Sequence, residues 1–218
     1  MIKQEIGDCI LYCADCADIA NELPDIDALV TDPPYGIGES AKRVASRGTR
    51  VSKAKDYGEF DWDQSAPQDL IDMFMSMTKS HIIWGGNYFN LPPTSCYLVW
   101  DKQNGTTDFA DCELAYTNMK KAVRIFRWLW NGMCRRGNEH RDHPTQKPLE
   151  LMKWCIDFLP DSKIIVDPFM GSGTTGVACA IRGRSFIGIE RDERYFEIAC
   201  RRIEQAYQQQ DLFVSIGA

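Results

Sequence analysis

Two consecutive prolines set the point where one strand of this chain must stop. Asp27-Ala28-Leu29-Val30-Thr31 is a short apolar run with the pattern of a buried strand, and Asp32-Pro33-Pro34-Tyr35 follows it at once. Proline has no N–H to give to a ladder, and its ring is barred from a helix interior, so the chain must turn here. The Asp32 carboxylate and the Tyr35 ring are thereby held at the carboxyl edge of a sheet, which in open α/β sheets is where ligands bind. Taken alone, the tetrapeptide is also compatible with a rigid turn that carries no chemistry.

The rest of the chain alternates strand and helix patterns. A strand is expected over 2–6, then a helix from Cys9 to Leu23 stopped by Pro24. Residues 36–66 read as a long, polar, mobile basic loop, and a loop of that length in a compact domain is functional or disordered. An amphipathic helix is expected from Pro67 to Ser80, with Leu70, Ile71, Phe74 and Met77 on one face. Strands follow at His81–Trp84, Cys96–Trp100, 113–117 and 122–130, the last carrying Trp128 and Trp130 more plausibly as core than as a stacking platform. Pro148 opens a helix to about Leu159, a strand covers Ile164–Asp167, a helix starts within the next glycine turn, and a strand covers Ser185–Glu190. A final helix from Asp192 to about Gln209 turns Phe196, Ala199, Ile203 and Ala206 inward. This alternation predicts a mostly parallel α/β sheet. With 218 residues, 44% of them hydrophobic, and no visible repeat or linker, a single domain over 1–218 is expected.

Charge is unevenly placed. Residues 36–55 hold Lys42, Arg43, Arg47, Arg50, Lys53 and Lys55 against Glu39; residues 119–141 hold seven basic side chains, Arg135, Arg136 and Arg141 among them, against Glu139. These windows carry +5 and +6, so the remainder carries −17 of a total of −6. An acidic body with two basic segments suits a polyanion gripped locally, although solvated loops would show the same bias. No apolar run is long enough to span a membrane and the amino end lacks a signal-peptide core, so a cytoplasmic location with reduced cysteines is expected. The three histidines have no zinc-like spacing, and no metal site is expected. Cys9-x3-Cys13-x2-Cys16 has the spacing of a radical S-adenosylmethionine iron–sulfur site, but on the expected helix the three cysteines form one buried face instead of a loop around iron.

The second motif is Asp167-Pro168-Phe169-Met170-Gly171-Ser172-Gly173-Thr174-Thr175-Gly176, a Gly-x-Gly-x-x-Gly turn between strand and helix. Glycines here let backbone N–H groups and a helix amino terminus approach a ligand. Glu190 stands 19 residues after Gly171, where a carboxylate can accept two hydrogen bonds from a ribose. The spacing alone fits a nicotinamide dinucleotide as well as S-adenosylmethionine. Asp167 at the strand tip favours the latter, because it repels a pyrophosphate and attracts a cationic methionine end.

Asp32-Pro33-Pro34-Tyr35, His143-Pro144-Thr145-Gln146-Lys147-Pro148 and Asp167-Pro168-Phe169-Met170-Gly171-Ser172-Gly173-Thr174-Thr175, in that order, resemble the amino-group DNA methyltransferases of the beta arrangement. There the catalytic motif precedes the cofactor motif, a circular permutation of the usual order. The resemblance implies a Rossmann-like methyltransferase sheet of seven strands, one antiparallel. It implies S-adenosylmethionine held by Asp167, Pro168, Phe169, Gly171, Ser172, Gly173, Thr174 and Thr175, with Glu190 at the ribose hydroxyls and Arg191 and Cys9 also among the cofactor-binding residues. Asp8 would lie at the adenine amine, and Thr145, Gln146 and Lys147 over the methionine carboxylate. Asn87 and Tyr88 would sit beside the target base, with Lys42, Arg43, Arg47, Arg50, Arg135, Arg136 and Arg141 on double-stranded DNA. Relatives of this kind are often homodimers. Larger ones carry a recognition segment where this chain has only about a dozen residues before His143, too few for a separate module.

The chemistry implied is methyl transfer to an exocyclic amine whose lone pair is delocalised into its ring. Hydrogen bonds from both amine hydrogens to the Asp32 side chain and the Pro33 carbonyl would restore that lone pair, with Pro34 stiffening the turn. Tyr35 would stack on the base once it leaves the duplex. The Asp form of the motif leans to adenine N6, with cytosine N4 the alternative. A dinucleotide-dependent oxidoreductase and an inactive DNA-binding relative are the readings from other classes.

Overall fold

A computed structural model of the chain describes residues 1–36, 67–104, 110–130 and 146–216. Nearly all of the expected basic loop, and the segment from 131 to 145, lie outside these residues. Among the described residues, nine strands form one sheet: β1 (Ile2–Ile6), β2 (Cys9–Cys13), β3 (Ala28–Thr31), β4 (Ser80–Trp84), β5 (Tyr97–Asp101), β6 (Cys112–Thr117), β7 (Arg124–Arg127), β8 (Ile164–Asp167) and β9 (Ser185–Glu190). Their order across the sheet is β1-β2-β9-β8-β3-β4-β6-β5-β7. The strand count differs from the seven expected because β1 and β7 extend the two edges. Without them the sheet has seven strands, of which β6 alone runs against its neighbours β4 and β5.

Among the described residues, five helices of α type accompany the sheet: α1 (Cys16–Ile19), α2 (Gln68–Ser76), α3 (Leu149–Asp157), α4 (Thr174–Ile181) and α5 (Glu193–Ile216). The central strands are buried on both faces, as parallel strands between helices must be. Alternation along β3 sends Ala28 and Val30 into one core, with Trp84, Leu98, Leu151 and Ile203, and Leu29 into the other, with Ile71, Phe74, Val166 and Ile189. The expected inward face of α5 is buried at Phe196, Ala199, Ile203 and Ala206. Trp130 is core, and Trp128 packs against Phe126 with ring centroids 6.0 Å apart. No helix among the described residues is long and apolar enough to cross a membrane.

One element differs in kind from the sequence expectation. Residues 9–13 are strand, not helix. Gly7 adopts φ +54°, and β1 and β2 close an antiparallel hairpin around Gly7-Asp8. β2 then pairs in parallel with β9, from Cys9↔Phe186 to Cys13↔Glu190. What remains helical is α1, capped by Asp15 Oδ1 accepting from Ala17 N at 3.0 Å, and a single 3₁₀ turn, Ala20–Glu22. At about 3.3 Å per residue, Cys9 and Cys13 are roughly 13 Å apart along the strand. This separation, not a shared helical face, keeps the three cysteines from converging on a cluster.

The strand directions position the site. β2, β9, β8, β3 and β4 are mutually parallel, so their carboxyl ends share one edge. Residues 14–15, Glu190, Asp167, Asp32 and Gly85 all emerge there.

The glycine turn before α4 is held by packing as much as by any ligand. Gly173 has φ +78°, and a Cβ on it would stand 2.8 Å from Ala199 Cβ and 3.0 Å from its Cα. Gly173→Ala is expected to lose about 2 kcal/mol, lowering Tm by roughly 4–8 °C. Gly183, with φ +61° but nothing within 4 Å of an added Cβ, is the control. Gly183→Ala should lose only the backbone strain, about 1 kcal/mol. Equal losses in calorimetry would show that the Ala199 contact is unimportant.

Candidate active site

At the carboxyl edge lies a cavity of about 530 Å³, within the range of small-molecule sites. Of the expected residues, Asp32, Pro34, Gln146, Lys147, Asp167, Pro168, Phe169, Gly171, Ser172, Thr174, Thr175, Glu190 and Arg191 line it. The two motif turns, far apart in sequence, therefore face one space.

Asp167 ends β8 and is 3% exposed. Its Oδ1 accepts from Thr31 Oγ1 at 2.7 Å and from Phe169 N at 3.1 Å; its Oδ2 accepts from Thr175 Oγ1 at 2.7 Å. Burial nevertheless raises its pKa to about 6, against those three donors, and the nearby Asp32 charge adds to the rise. Glu190 ends β9; Oε2 accepts from Gly171 N at 3.0 Å and Oε1 from Asp192 N at 2.8 Å. Burial raises its pKa to about 7. Each Glu190 oxygen keeps a lone pair beyond these bonds, as a diol-binding carboxylate requires.

Asp32, with its side chain 20% exposed, is engaged from two sides. Tyr35 Oη donates to Oδ1 at 2.5 Å, and Lys147 Nζ donates to Oδ2 at 2.5 Å. Lys147, whose side chain is 8% exposed, also stands 3.1 Å from Glu113 Oε2. Lys102 forms a further ion pair with Glu113. Burial pushes the Asp32 carboxyl up, and Glu113 adds to this while Lys147 opposes it. Burial pushes Glu113 the same way, yet Lys147 and Lys102 outweigh it and hold that carboxyl at about 2. Lys147 is disfavoured as a cation by burial, but Asp32 and Glu113 together keep it protonated. The clearest anion of the group is thus Glu113, and Asp32 is the carboxyl that must share its ammonium.

Tyr35 is fixed by its neighbours. Tyr88 stacks on it with centroids 4.8 Å apart and planes 15° from parallel. Gly85, at φ +66°, leaves room for the ring: a Cβ there would fall 2.1 Å from Tyr35 Cε1. Asn87 and Tyr88, expected beside a target base, form the exposed turn that bears this stack.

Several expectations need correction. Asp8 and Cys9 do not reach the cavity. They sit at the amino edge, where Asp8 O accepts from Phe186 N and Asp8 N donates to Tyr207 Oη at 3.0 Å. With β2 a strand, its carboxyl end delivers Ala14, Asp15 and Cys16 to the cavity instead. Gly173 faces Ala199 and is absent from the lining. Lys147 lines the cavity, but its ammonium is committed to Asp32 and Glu113. Gln146 Oε1 accepts from Ser172 Oγ at 3.3 Å, which ties the segment before α3 to the glycine turn. Thr145, Lys42, Arg43, Arg47, Arg50, Arg135, Arg136 and Arg141 lie outside the described residues. Residues missed by sequence reasoning include Asp15, Leu70, Met152, Asp192 and Tyr195 in the lining, and Glu113 and Lys102 behind Lys147. For Asp15 a signal existed, since an N-capping aspartate marks the start of a helix.

A model of the N6/N4 DNA methylase family matches residues 74–201. The type II methyltransferase M.HinfI of Haemophilus influenzae is 25% identical, over 94% of this chain and 71% of its own length. M.ScaI of Streptomyces caespitosus is 24% identical, over 92% and 83%. Among solved structures, the M1.HpyAVI–SAM complex is 25% identical, covers 88% of this chain and 98% of its own, and superposes with a TM-score of 0.54. The cytosine-N4-specific PvuII DNA methyltransferase shares the fold at TM-score 0.58 and 14% identity, over 94% and 93%.

The raised carboxyls predict a pH-dependent stability. Asp167 and Glu190, ordinarily near 3.8 and 4.5, keep their protons in the fold to about 6 and 7. The folded ligand-free chain therefore holds protons that the unfolded chain releases. Their stabilising contribution is complete below about pH 4 and is lost as pH rises to about 7, on the order of 3 kcal/mol for Asp167. Urea melts across this range should show that decline, and it should shrink by about half in Glu190→Gln.

Proposed function

Since the chain belongs to the N6/N4 DNA methylase family, we propose that it transfers a methyl group from S-adenosylmethionine to an exocyclic amine of double-stranded DNA, adenine N6 in preference to cytosine N4. The observation that carries this reading is that Asp32 and Pro34, from the Asp32-Pro33-Pro34-Tyr35 turn, line one cavity with Asp167 and Glu190, although Pro33 and Tyr35 are not in its lining. The motif order, catalytic before cofactor, is that of the permuted beta arrangement. Homodimers, common among relatives, belong to the same reading, as do a single domain and a cytoplasmic site of action.

The cavity fits the cofactor by charge. Asp15, Asp32, Asp167, Glu190 and Asp192 line it against Lys147 and Arg191, an acidic excess suited to a ligand bearing an ammonium and a sulfonium. Glu190 would accept from the ribose hydroxyls, Asp167 would face the methionine end, and Asp15, which lines the cavity where Asp8 does not, would face the adenine. When bound, S-adenosylmethionine supplies an electrophilic methyl group on a positive sulfur.

The chain's own residues prepare the nucleophile. The target base leaves the duplex, because its amine is unreachable inside the stack. The Asp32 carboxylate accepts a hydrogen bond from one amine hydrogen in place of a present partner, and the Pro33 carbonyl accepts one from the other. The amine becomes more tetrahedral and its lone pair is freed from the ring. Placement and fixed charge do this work, and no covalent intermediate with the protein is needed. The Asp form of the motif leans to adenine. Lys42, Arg43, Arg47, Arg50, Arg135, Arg136 and Arg141 would supply phosphate or base contacts.

Purified protein incubated with unmethylated DNA and methyl-labelled S-adenosylmethionine should yield N6-methyladenine on nucleoside mass spectrometry. N4-methylcytosine would select the alternative base, and the absence of either would overturn the proposal. Asp32→Ala should lower turnover by at least ~10³-fold with cofactor affinity nearly intact. Glu190→Ala should instead weaken cofactor binding by roughly 10–100-fold by calorimetry, as expected for a lost charge-assisted pair of hydrogen bonds. Turnover of Asp32→Ala within a few-fold of wild type would show that this carboxylate is not the acceptor.

A further inference from the structure

Among the described residues, four charged side chains form a line at the reaction centre, and two of them, Lys102 and Glu113, belong to none of the three motifs. Lys102 follows β5, Glu113 lies near the start of β6, Lys147 precedes α3 and Asp32 follows β3. They alternate in sign: Lys102 pairs with Glu113, Glu113 Oε2 lies 3.1 Å from Lys147 Nζ, and Lys147 Nζ lies 2.5 Å from Asp32 Oδ2. The four side chains are between 8% and 23% exposed. Lys147 Nζ also lies 5.9 Å from the Tyr35 ring centroid and 5.8 Å from that of Trp84, between two aromatic walls.

The reversal of β6 is what makes this possible. Its neighbours β4 and β5 run the other way, so the start of β6 lies at their carboxyl ends. Were β6 parallel, Glu113 would sit at the far edge. A carboxylate buried this deeply must be paired to persist, and Glu113 has two cations. Its pull on Lys147 opposes the pull of Asp32 on the same ammonium.

We propose that Glu113 is a positioning residue for methyl transfer: by sharing the Lys147 ammonium with Asp32, and being itself restrained by Lys102, it sets how firmly Asp32 is held and how readily it yields to the amine of the target base. This rests on the reading of Asp32 as the acceptor. Without Glu113, Lys147 belongs to Asp32 alone and closes it off. Without Lys102, Glu113 draws Lys147 away and leaves Asp32 less ionised. The groups facing Asp32 are Lys147, Glu113 and Tyr35, with Asp167 on the neighbouring strand and Lys102 acting through Glu113.

The two substitutions therefore shift the ionisation of Asp32 in opposite directions. Removing the Glu113 charge lowers the Asp32 pKa, so the acid limb of kcat in Glu113→Gln should move to lower pH by about one unit. Removing the Lys102 charge leaves Glu113 stronger and raises the Asp32 pKa, so the limb in Lys102→Gln should move up by a smaller amount. In both, kcat at neutral pH should fall on the order of tenfold through misplacement, with KM for S-adenosylmethionine within about twofold. Glu113→Asp should recover part of the loss.

The same shifts are read without catalysis by carbon-13 titration of the Asp32 carboxyl in protein labelled at aspartate, the signal being identified by its loss in Asp32→Asn. Opposite shifts in the two variants support the proposal. Shifts in the same direction, or none, with melting curves showing folded protein, overturn it. If wild-type protein transfers no methyl group to DNA while the carboxyl titrations still move oppositely, the charge chain stands and the functional reading falls.

Discussion

A hydrogen bond of 2.7 Å from Thr31 Oγ1 to Asp167 Oδ1 joins two residues 136 positions apart, at the adjacent carboxyl ends of β3 and β8. The site depends on this contact. Asp32 is the next residue after Thr31, and Asp167 opens the glycine turn, so one bond registers the two turns. Asp167 takes two further donors, Thr175 Oγ1 and Phe169 N, which bind it to the start of α4. A carboxyl this buried costs several kcal/mol if left unpaired. Three donors make it tolerable, yet its pKa stays raised. The fold thus keeps an acidic group short of a full countercharge at the place where a cationic ligand would supply one.

The second constraint is the reversal of β6 inside an otherwise parallel stretch. Parallel strands send only their last residues to the functional edge. An antiparallel strand sends its first, and with it a side chain that the parallel neighbours could not deliver. Glu113 arrives by that route and completes an alternating line of four charges whose formal sum is zero. Such buried lines are seldom net stabilising. What they provide is placement: the Lys147 ammonium has two seats, and its position between them sets the state of Asp32.

Legibility varied with the range of the signal. β8, the glycine turn, α4, β9 and α5 were readable because each is announced by its own residues: an apolar run, glycines where close approach is needed, then a 3.6-residue apolar period. The β2 segment was misread because Cys9, Cys13 and Cys16 repeat at a helical spacing, while the competing alternation of buried Cys9 and Leu11 spans only five residues. Pairing with β9 decided between the two patterns. The same misreading put Asp8 instead of Asp15 at the carboxyl edge, since the chain reaches the cavity at the end of β2 and not at its beginning.

The residues by themselves determined that strands would end at Asp32 and Asp167, that glycines would open a turn before a helix, and that a carboxylate would close the following strand. Proline geometry, glycine freedom and hydrophobic period all act within a few residues of their cause. The tertiary structure alone decided which side chains meet across the sheet: Thr31 with Asp167, Lys147 with Asp32 and Glu113, Tyr35 with Tyr88. Those meetings follow from strand order and direction, and such long-range pairings are selected by the burial of the whole sheet between its helices, not by any local stretch of chain.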